Sequence, residues 1–279
     1  MPDVTSPATA LAITPAEVAG VLTAVRERHP LVHCMTNIVV AGFTANVLLA
    51  VGAAPAMVEN DQEAAEFAAI ADALLVNLGT LSAETARAMR LASASARRHE
   101  RPWVLDPVAV GAMRFRTDLS AELLEQGPAV IRGNSSEVLS LAGAAGAGRG
   151  VDSTVGSEAA IDIARELAVR TGAVVAVSGA VDYLTDGTDL VEVHTGHPLM
   201  TQVTGVGCAL GALVAACCGT GAPPLLAAAA ATTILTVAAE ESAAVSAGPG
   251  SFAVGLLDAL ANLDEQTIES RVRAREDAR

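Results

Sequence analysis

No lysine occurs among the 279 residues, and all 17 basic side chains are arginine. Schiff-base chemistry is therefore excluded. So is a phosphate-binding loop of the G-x-x-x-x-G-K-[ST] type, which needs a lysine ammonium on the terminal phosphates. Any phosphate must be held by arginine, by metal or by backbone N–H groups. Aromatic residues make up only 2% of the chain and the net charge is −14. That combination lacks stacking platforms and repels polyphosphate backbones, which argues against nucleic acid as a partner. The four cysteines, Cys34, Cys208, Cys217 and Cys218, form no C-x-x-C pair, and the histidines form no H-E-x-x-H. Zinc is thus not indicated, and the thiols fit a reducing compartment. The opening MPDVTSPATALAIT lacks a basic stretch before an apolar run and reads as a loose lead-in, residues 1–14, to a cytosolic protein.

With 52% of its residues hydrophobic, the chain has ample material for a large core. Short apolar runs near 31–35, 55–58, 73–77, 103–105, 129–131 and 173–178 alternate with helical patterns near 41–51, 62–70, 82–99, 117–126, 134–142 and 157–171. This is the rhythm of βαβ units and a parallel sheet. Ser82, Thr117, Asn134 and Ser157 stand where helix caps belong. After Ser178, YLTDGTDLVEVHT reads as an antiparallel hairpin around Asp186-Gly187, and three helical stretches then close the chain. The uncharged stretch from Val203 to Ala239 is divided by Gly219, Gly221, Pro223 and Pro224 into pieces shorter than the roughly 20 residues a membrane span needs. Buried alanine-rich helices account for it. The Gly/Ala-rich loop at 142–150 does not interrupt the rhythm, so one domain over 1–279 is expected. The terminal LDEQTIESRVRAREDAR, charged on nearly every face, reads as a solvated helix.

In an open α/β sheet, ligands bind beyond the carboxyl ends of the strands. The first strand is followed by His33-Cys34-Met35-Thr36-Asn37, where Asn37 is a pocket residue or a helix cap; Met57 follows the second. Asp106, directly after a buried strand, suits a metal ion or a tight Asp-Pro turn. Arg132-Gly133-Asn134-Ser135-Ser136-Glu137 joins a guanidinium to an Asn-x-x-Glu pattern, which is also a capping box. An arginine ending a buried strand requires an anion to pair with. Thr204-Gly205-Val206-Gly207-Cys208 opens the uncharged helix but is no dinucleotide fingerprint, since Leu210 stands where a glycine would be needed. Gly205 and Gly207 instead allow consecutive N–H groups to converge on one anion at a helix N-terminus. Cys208 at that positive end is expected to have a thiol pKa below about 8.5.

HCMTN, PAM at 55–57, NLGTL at 77–81, LDPVAVGA, RGNSSE, VSGAVDYLTDG and GHPLMTQVTGVGC, in this order, closely resemble the hydroxyethylthiazole kinases of thiamine salvage. The resemblance implies an α/β, ribokinase-like fold: a mostly parallel sheet with helices on both faces and an antiparallel hairpin extension. It also implies Mg2+-dependent transfer of the ATP γ-phosphoryl to the hydroxyl of 4-methyl-5-(2-hydroxyethyl)thiazole, in a homotrimer with active sites at subunit interfaces. By that resemblance Met57, Gly205 and Asn37 contact the thiazole, Arg132 and Ser178 contact ATP, and Asp106 and Glu137 serve the metal. The N–H groups of the turn at Gly205, Gly207 and Cys208 receive the transferring group, and Cys208 stands where relatives in the wider fold carry an aspartate base. The sequence departs from the family pattern at Val206 (threonine), Ser178 (threonine), Ala180 (glutamate) and Ala109 (glycine). An ATP-dependent lyase of the same fold, a thiol hydrolase and a thiazole-binding protein with impaired catalysis are the competing readings.

Overall fold

The computed structural model describes residues 13–144 and 160–276. One eight-stranded sheet runs through it in the order β2-β1-β3-β4-β5-β6-β7-β8. The strands are β1 (Leu31–Met35), β2 (Ala54–Ala56), β3 (Ala73–Asn77), β4 (Trp103–Asp106), β5 (Val130–Asn134), β6 (Val174–Ser178), β7 (Asp182–Thr185) and β8 (Leu190–Val193). The first six pair in parallel, and β7 and β8 are antiparallel additions at one edge. The hairpin turn is the expected one: Asp186 Oδ1 accepts from the N–H groups of Thr188 and Asp189, and Gly187 takes φ +97°.

Strand residues alternate between two cores, as a period of two requires of a sheet covered on both faces. Ala73, Leu75, Val104, Val130, Val174 and Ala176 face one core, while Leu74, Val76, Leu105, Ile131, Val175 and Val177 face the other. The first is built with α1 (Pro15–Arg28), α2 (Ala41–Val51), α8 (Val206–Gly219), α9 (Pro224–Val245), α10 (Pro249–Asn262) and α11 (Glu265–Glu276). The second is built with α3 (Ala64–Ile70), α4 (Ala83–Arg98), α5 (Arg114–Leu124), α6 (Ser135–Ala144) and α7 (Ile161–Thr171). In α8 the absence of a side chain at Gly211 permits close approach to the sheet; a Cβ there would stand 3.1 Å from Leu75 Cδ1 and 3.4 Å from Asp106 Oδ2.

Several local expectations are corrected. Helix α1 precedes the first expected helix, opened by a Thr14/Glu17 capping box with Pro15 at its first position. Helix α5 starts at Arg114, so Thr117 is not its cap; the Thr117 hydroxyl accepts from the Gly111 N–H and donates to the Met113 carbonyl. Four helices, not three, follow the hairpin. Helix α9 continues through Glu240 and Glu241 to 22 residues, long and apolar enough to cross a membrane, yet 89% of its apolar window is buried inside the molecule. Helix α11 is not wholly solvated, because Ile268 is buried in the core and Arg271 pairs with Glu241 at 2.5 Å. Ser82 caps α4 as expected, and Asn134 opens α6 in a capping box with Glu137. Ser157, most of the 142–150 loop and nearly all of the N-terminal lead-in lie outside the described residues.

Candidate active site

Strand order reverses between β1 and β3, where β1 has β2 on one side and β3 on the other. At this crevice the loops after β1, β3, β4 and β5 converge on the start of α8. Asn37 follows β1, Asn77 ends β3, Asp106 ends β4 and Arg132 lies in β5. The loop after β3 passes so close to Asn37 that a Cβ on Gly79 would lie 2.6 Å from the Asn37 Cβ.

Asp106 is fully buried. Its Oδ2 accepts from Asn77 Nδ2 at 2.6 Å and lies 3.7 Å from Arg132 Nη1, while its Oδ1 is buried with no hydrogen-bond partner. Burial pushes its carboxyl up to about 6; Arg132 opposes the rise and Glu137 adds to it. Part of the anion that Arg132 requires is thus internal. Arg132 also donates to the Gly207 carbonyl at 3.1 Å and to Ser178 Oγ at 3.0 Å, tying β5 and β6 to the start of α8. Its Nε is buried without a partner.

Gly205 is the N-cap of α8 at φ +93°. A Cβ there would stand 2.7 Å from the Val40 Cβ, so the position excludes a side chain by both space and backbone conformation. The N–H groups of Val206, Gly207 and Cys208 form the first turn and have no carbonyl four residues back within the helix, so they present the positive end of its dipole. A Cβ on Gly207 would stand 3.1 Å from Arg132 Nη1. Val206, where the family pattern has threonine, is buried in the core, leaving the anion hole to the backbone.

Cys208 corrects an expectation. Its thiol is held above its ordinary pKa, first by burial and then by the charge of Asp106, against hydrogen bonds from Asn77 and Asn37 and the charge of Arg132. Desolvation with an adjacent carboxylate outweighs the helix dipole. The thiol is therefore protonated at neutral pH, which disfavours a thiolate nucleophile. Asn37 serves in two capacities, since its Oδ1 also accepts from the Val39 N–H at 3.0 Å and caps the turn Ile38–Val40.

Glu137 has both oxygens on backbone: Oε2 accepts from the Asn134 N–H at 2.9 Å, and Oε1 from the Ala109 N–H at 3.0 Å. The capping-box reading is correct, and the second bond joins α6 to the loop after β4. Ala109 takes φ +60°, a left-handed conformation that suits the glycine of the family pattern. Met57, 36% exposed, follows β2 at the crevice rim. Behind it, buried His33 makes a 2.7 Å hydrogen bond through Nε2 to the Val58 carbonyl.

On the far side of Arg132 a cleft of about 660 Å³ opens between the β6–β7 turn and the segment after β8. Ser178, Asp182, His197, Met200, Val206 and Thr236 are among its walls. Burial pushes Asp182 up to about 6, against the Gly179 N–H, Arg132 and Ser178. Asn77, Asp182 and residues 196–201 fall within the motifs NLGTL, VSGAVDYLTDG and GHPLMTQVTGVGC, which by themselves assign these residues no role; Asn77 also carries a local signal, as the polar residue ending a buried strand.

A family model described as the hydroxyethylthiazole kinase family matches residues 22–266. The chain belongs to this family. Among hydroxyethylthiazole kinases, that of Leptospira borgpetersenii serovar Hardjo-bovis (strain JB197) is 54% identical over 247 residues, 88% of this chain and 94% of its own. That of Escherichia coli (strain SMS-3-5 / SECEC) is 52% identical over 254 residues, 91% and 97% of the two chains. The solved hydroxyethylthiazole kinase of Pyrococcus horikoshii OT3 superposes with a TM-score of 0.85 at 40% identity, covering 91% of this chain and 96% of that one. A Bacillus subtilis pyridoxal kinase solved with ADP, 19% identical with a TM-score of 0.58 over 77% of this chain and 92% of its own, shares the ribokinase-like fold alone.

Proposed function

We propose that the chain transfers the γ-phosphoryl group of ATP to the primary hydroxyl of 4-methyl-5-(2-hydroxyethyl)thiazole, releasing ADP and the thiazole phosphate of thiamine salvage. The observation that carries this is the α8 N-terminus, capped by Gly205 and locked to β5 through Arg132, at the edge of the cleft that Arg132, Ser178 and Gly207 line. Asn37, Met57 and Gly205 contact the thiazole. The cleft beyond Arg132 and Ser178 takes ATP. The transferring group then meets the N–H groups of Val206, Gly207 and Cys208, whose fixed dipoles stabilise the developing charge without reorganisation.

Cys208 positions the acceptor hydroxyl and at most assists proton removal modestly. A half-buried, protonated thiol is a poor base, but a loose transition state asks chiefly for alignment and charge stabilisation. Arg132 holds Gly207 and Ser178 in register and, lining the cleft, sets its guanidinium charge beside the phosphates.

The donor set fits Mg2+. Asp106 Oδ1 is a buried carboxylate oxygen without a hydrogen-bond partner, and Glu137, close enough to perturb Asp106, would act through metal-bound water because both its oxygens already accept N–H groups. Bound there, the ion would neutralise charge on the β- and γ-phosphates. One kinase domain spanning 1–279, a homotrimer with sites at subunit interfaces and a cytoplasmic location complete the proposal. Four free cysteines support a reducing compartment. Exposed apolar side chains at the crevice rim support the interface.

Mass spectrometry after incubation with ATP, Mg2+ and the thiazole tests the reading, with Gly205→Asp as the blank. A product heavier by one phosphoryl group, formed only by the unmodified protein, is expected. ADP without phosphorylated thiazole would point to the lyase, and bound thiazole with untouched ATP to a binding protein.

A further inference from the structure

We propose that Glu240 of α9 is a positioning residue of the nucleotide cleft: from behind the cleft wall it holds the strap 194–197 through the Gly196 N–H, and so sets the affinity for ATP. The inference rests on the reading of that cleft as the ATP site. From Leu225 to Ala239 the helix carries no charged residue, and its buried face is alanine, leucine, isoleucine, valine and threonine. Glu240, only 8% exposed, breaks this pattern. A carboxylate taken out of water is retained without large cost only where hydrogen bonds replace its hydration.

Glu240 Oε1 accepts from the Gly196 N–H at 2.9 Å, and one turn earlier Thr236 Oγ1 lies 2.6 Å from Thr195 Oγ1. The strap follows the end of β8, and these bonds fasten it to α9 beyond the sheet ladder. Gly196 takes φ +134°, a conformation that L side chains rarely adopt. Immediately after it, His197 caps the turn Pro198–Gln202 by accepting from the Leu199 N–H at 3.2 Å. Thr195, His197, Pro198, Met200 and Thr201 all line the cleft. A change at Glu240 therefore displaces several wall residues together, while Asn37 and Gly205, held by the turn after β1 and by the start of α8, keep their own supports.

Steady-state kinetics of Glu240→Met and Glu240→Gln, with melting temperatures, test this. Glu240→Met removes the acceptor at similar volume and is expected to raise KM for ATP about tenfold, with KM for the thiazole within about twofold of the unmodified protein. Glu240→Gln keeps an acceptor oxygen and is expected to restore most of the ATP affinity. A lowered melting temperature with both KM values unchanged, or with both raised together, would overturn the proposal in favour of a packing role. Should Glu240→Met fail to fold, hydrogen exchange of the Gly196 amide in the unmodified protein decides. Slowing by ATP but not by the thiazole supports the proposal, and equal exchange with and without ATP overturns it. Failure of the unmodified protein to bind ATP in calorimetry would remove the nucleotide reading itself, before any variant is compared.

Discussion

Asp106 sets its charge against its burial, and the balance has a readable pH dependence. A carboxyl raised to about 6 in the folded protein, against about 3.9 in the unfolded chain, binds more protons when folded within that window. Its contribution to stability is therefore greatest below pH 4 and falls as pH rises to about 6. Asp182 acts with the same sign. Urea midpoints of the metal-free protein between pH 4 and 6.5 should fall with rising pH more steeply than those of Asp106→Asn; equal slopes would refute this. At Ala109, held at φ +60°, glycine relieves left-handed strain, so Ala109→Gly should raise stability by about 0.5–1 kcal/mol in denaturant titration. Cys208→Ala should lower the turnover number roughly tenfold and leave KM for ATP unchanged. An unaltered turnover number would remove Cys208 from the mechanism.

Element boundaries follow local chemistry where the side chains supply it. Ser82 Oγ accepts from the Thr85 N–H at 3.1 Å and Thr85 Oγ1 returns a bond to the Ser82 N–H at 2.9 Å, so Ser82→Ala should cost about 1 kcal/mol, measured by thermal unfolding. The strands were readable because apolar runs between turn residues, each sandwiched by helices, leave little choice of identity or period. The α1 signal, Thr14-Pro15-Ala16-Glu17, was also present in the residues, although the expected helices began later. Thr117 shows the opposite case: a plausible cap residue served the preceding loop, because Met113 already had the extended conformation that opens α5.

At the scale of the whole molecule, two faces of one sheet enclose two cores, and the crevice at the strand reversal is open on the side of β1 and β2. Ile38 and Val39, 66% and 71% exposed, follow β1, and Met57 follows the adjacent β2. Apolar side chains at a site rim suit coverage by another subunit. The proposed homotrimer predicts a light-scattering mass of three 28.0 kDa chains. The double substitution Ile38→Asp/Val39→Asp should shift it towards the monomer and weaken thiazole binding about tenfold or more, while ATP binding survives. A trimer that persists with full thiazole affinity would place the interface elsewhere.

The order of the strands, the hairpin and the glycines opening α8 are determined by the sequence alone, because period, turn chemistry and missing side chains act within a few residues. So is family membership, through motifs spaced along the chain. Only the tertiary structure decided what those motif residues do to one another. It took Cys208 partly out of water and set it beside Asp106, which reversed the expected direction of the thiol's pKa against the hydrogen bonds from Asn77 and Asn37. It supplied Arg132 with an internal anion, and it set Glu240 behind a strap 44 residues earlier in the chain. Desolvation and long-range pairing depend on what surrounds a group in space, and no stretch of neighbouring residues carries that information.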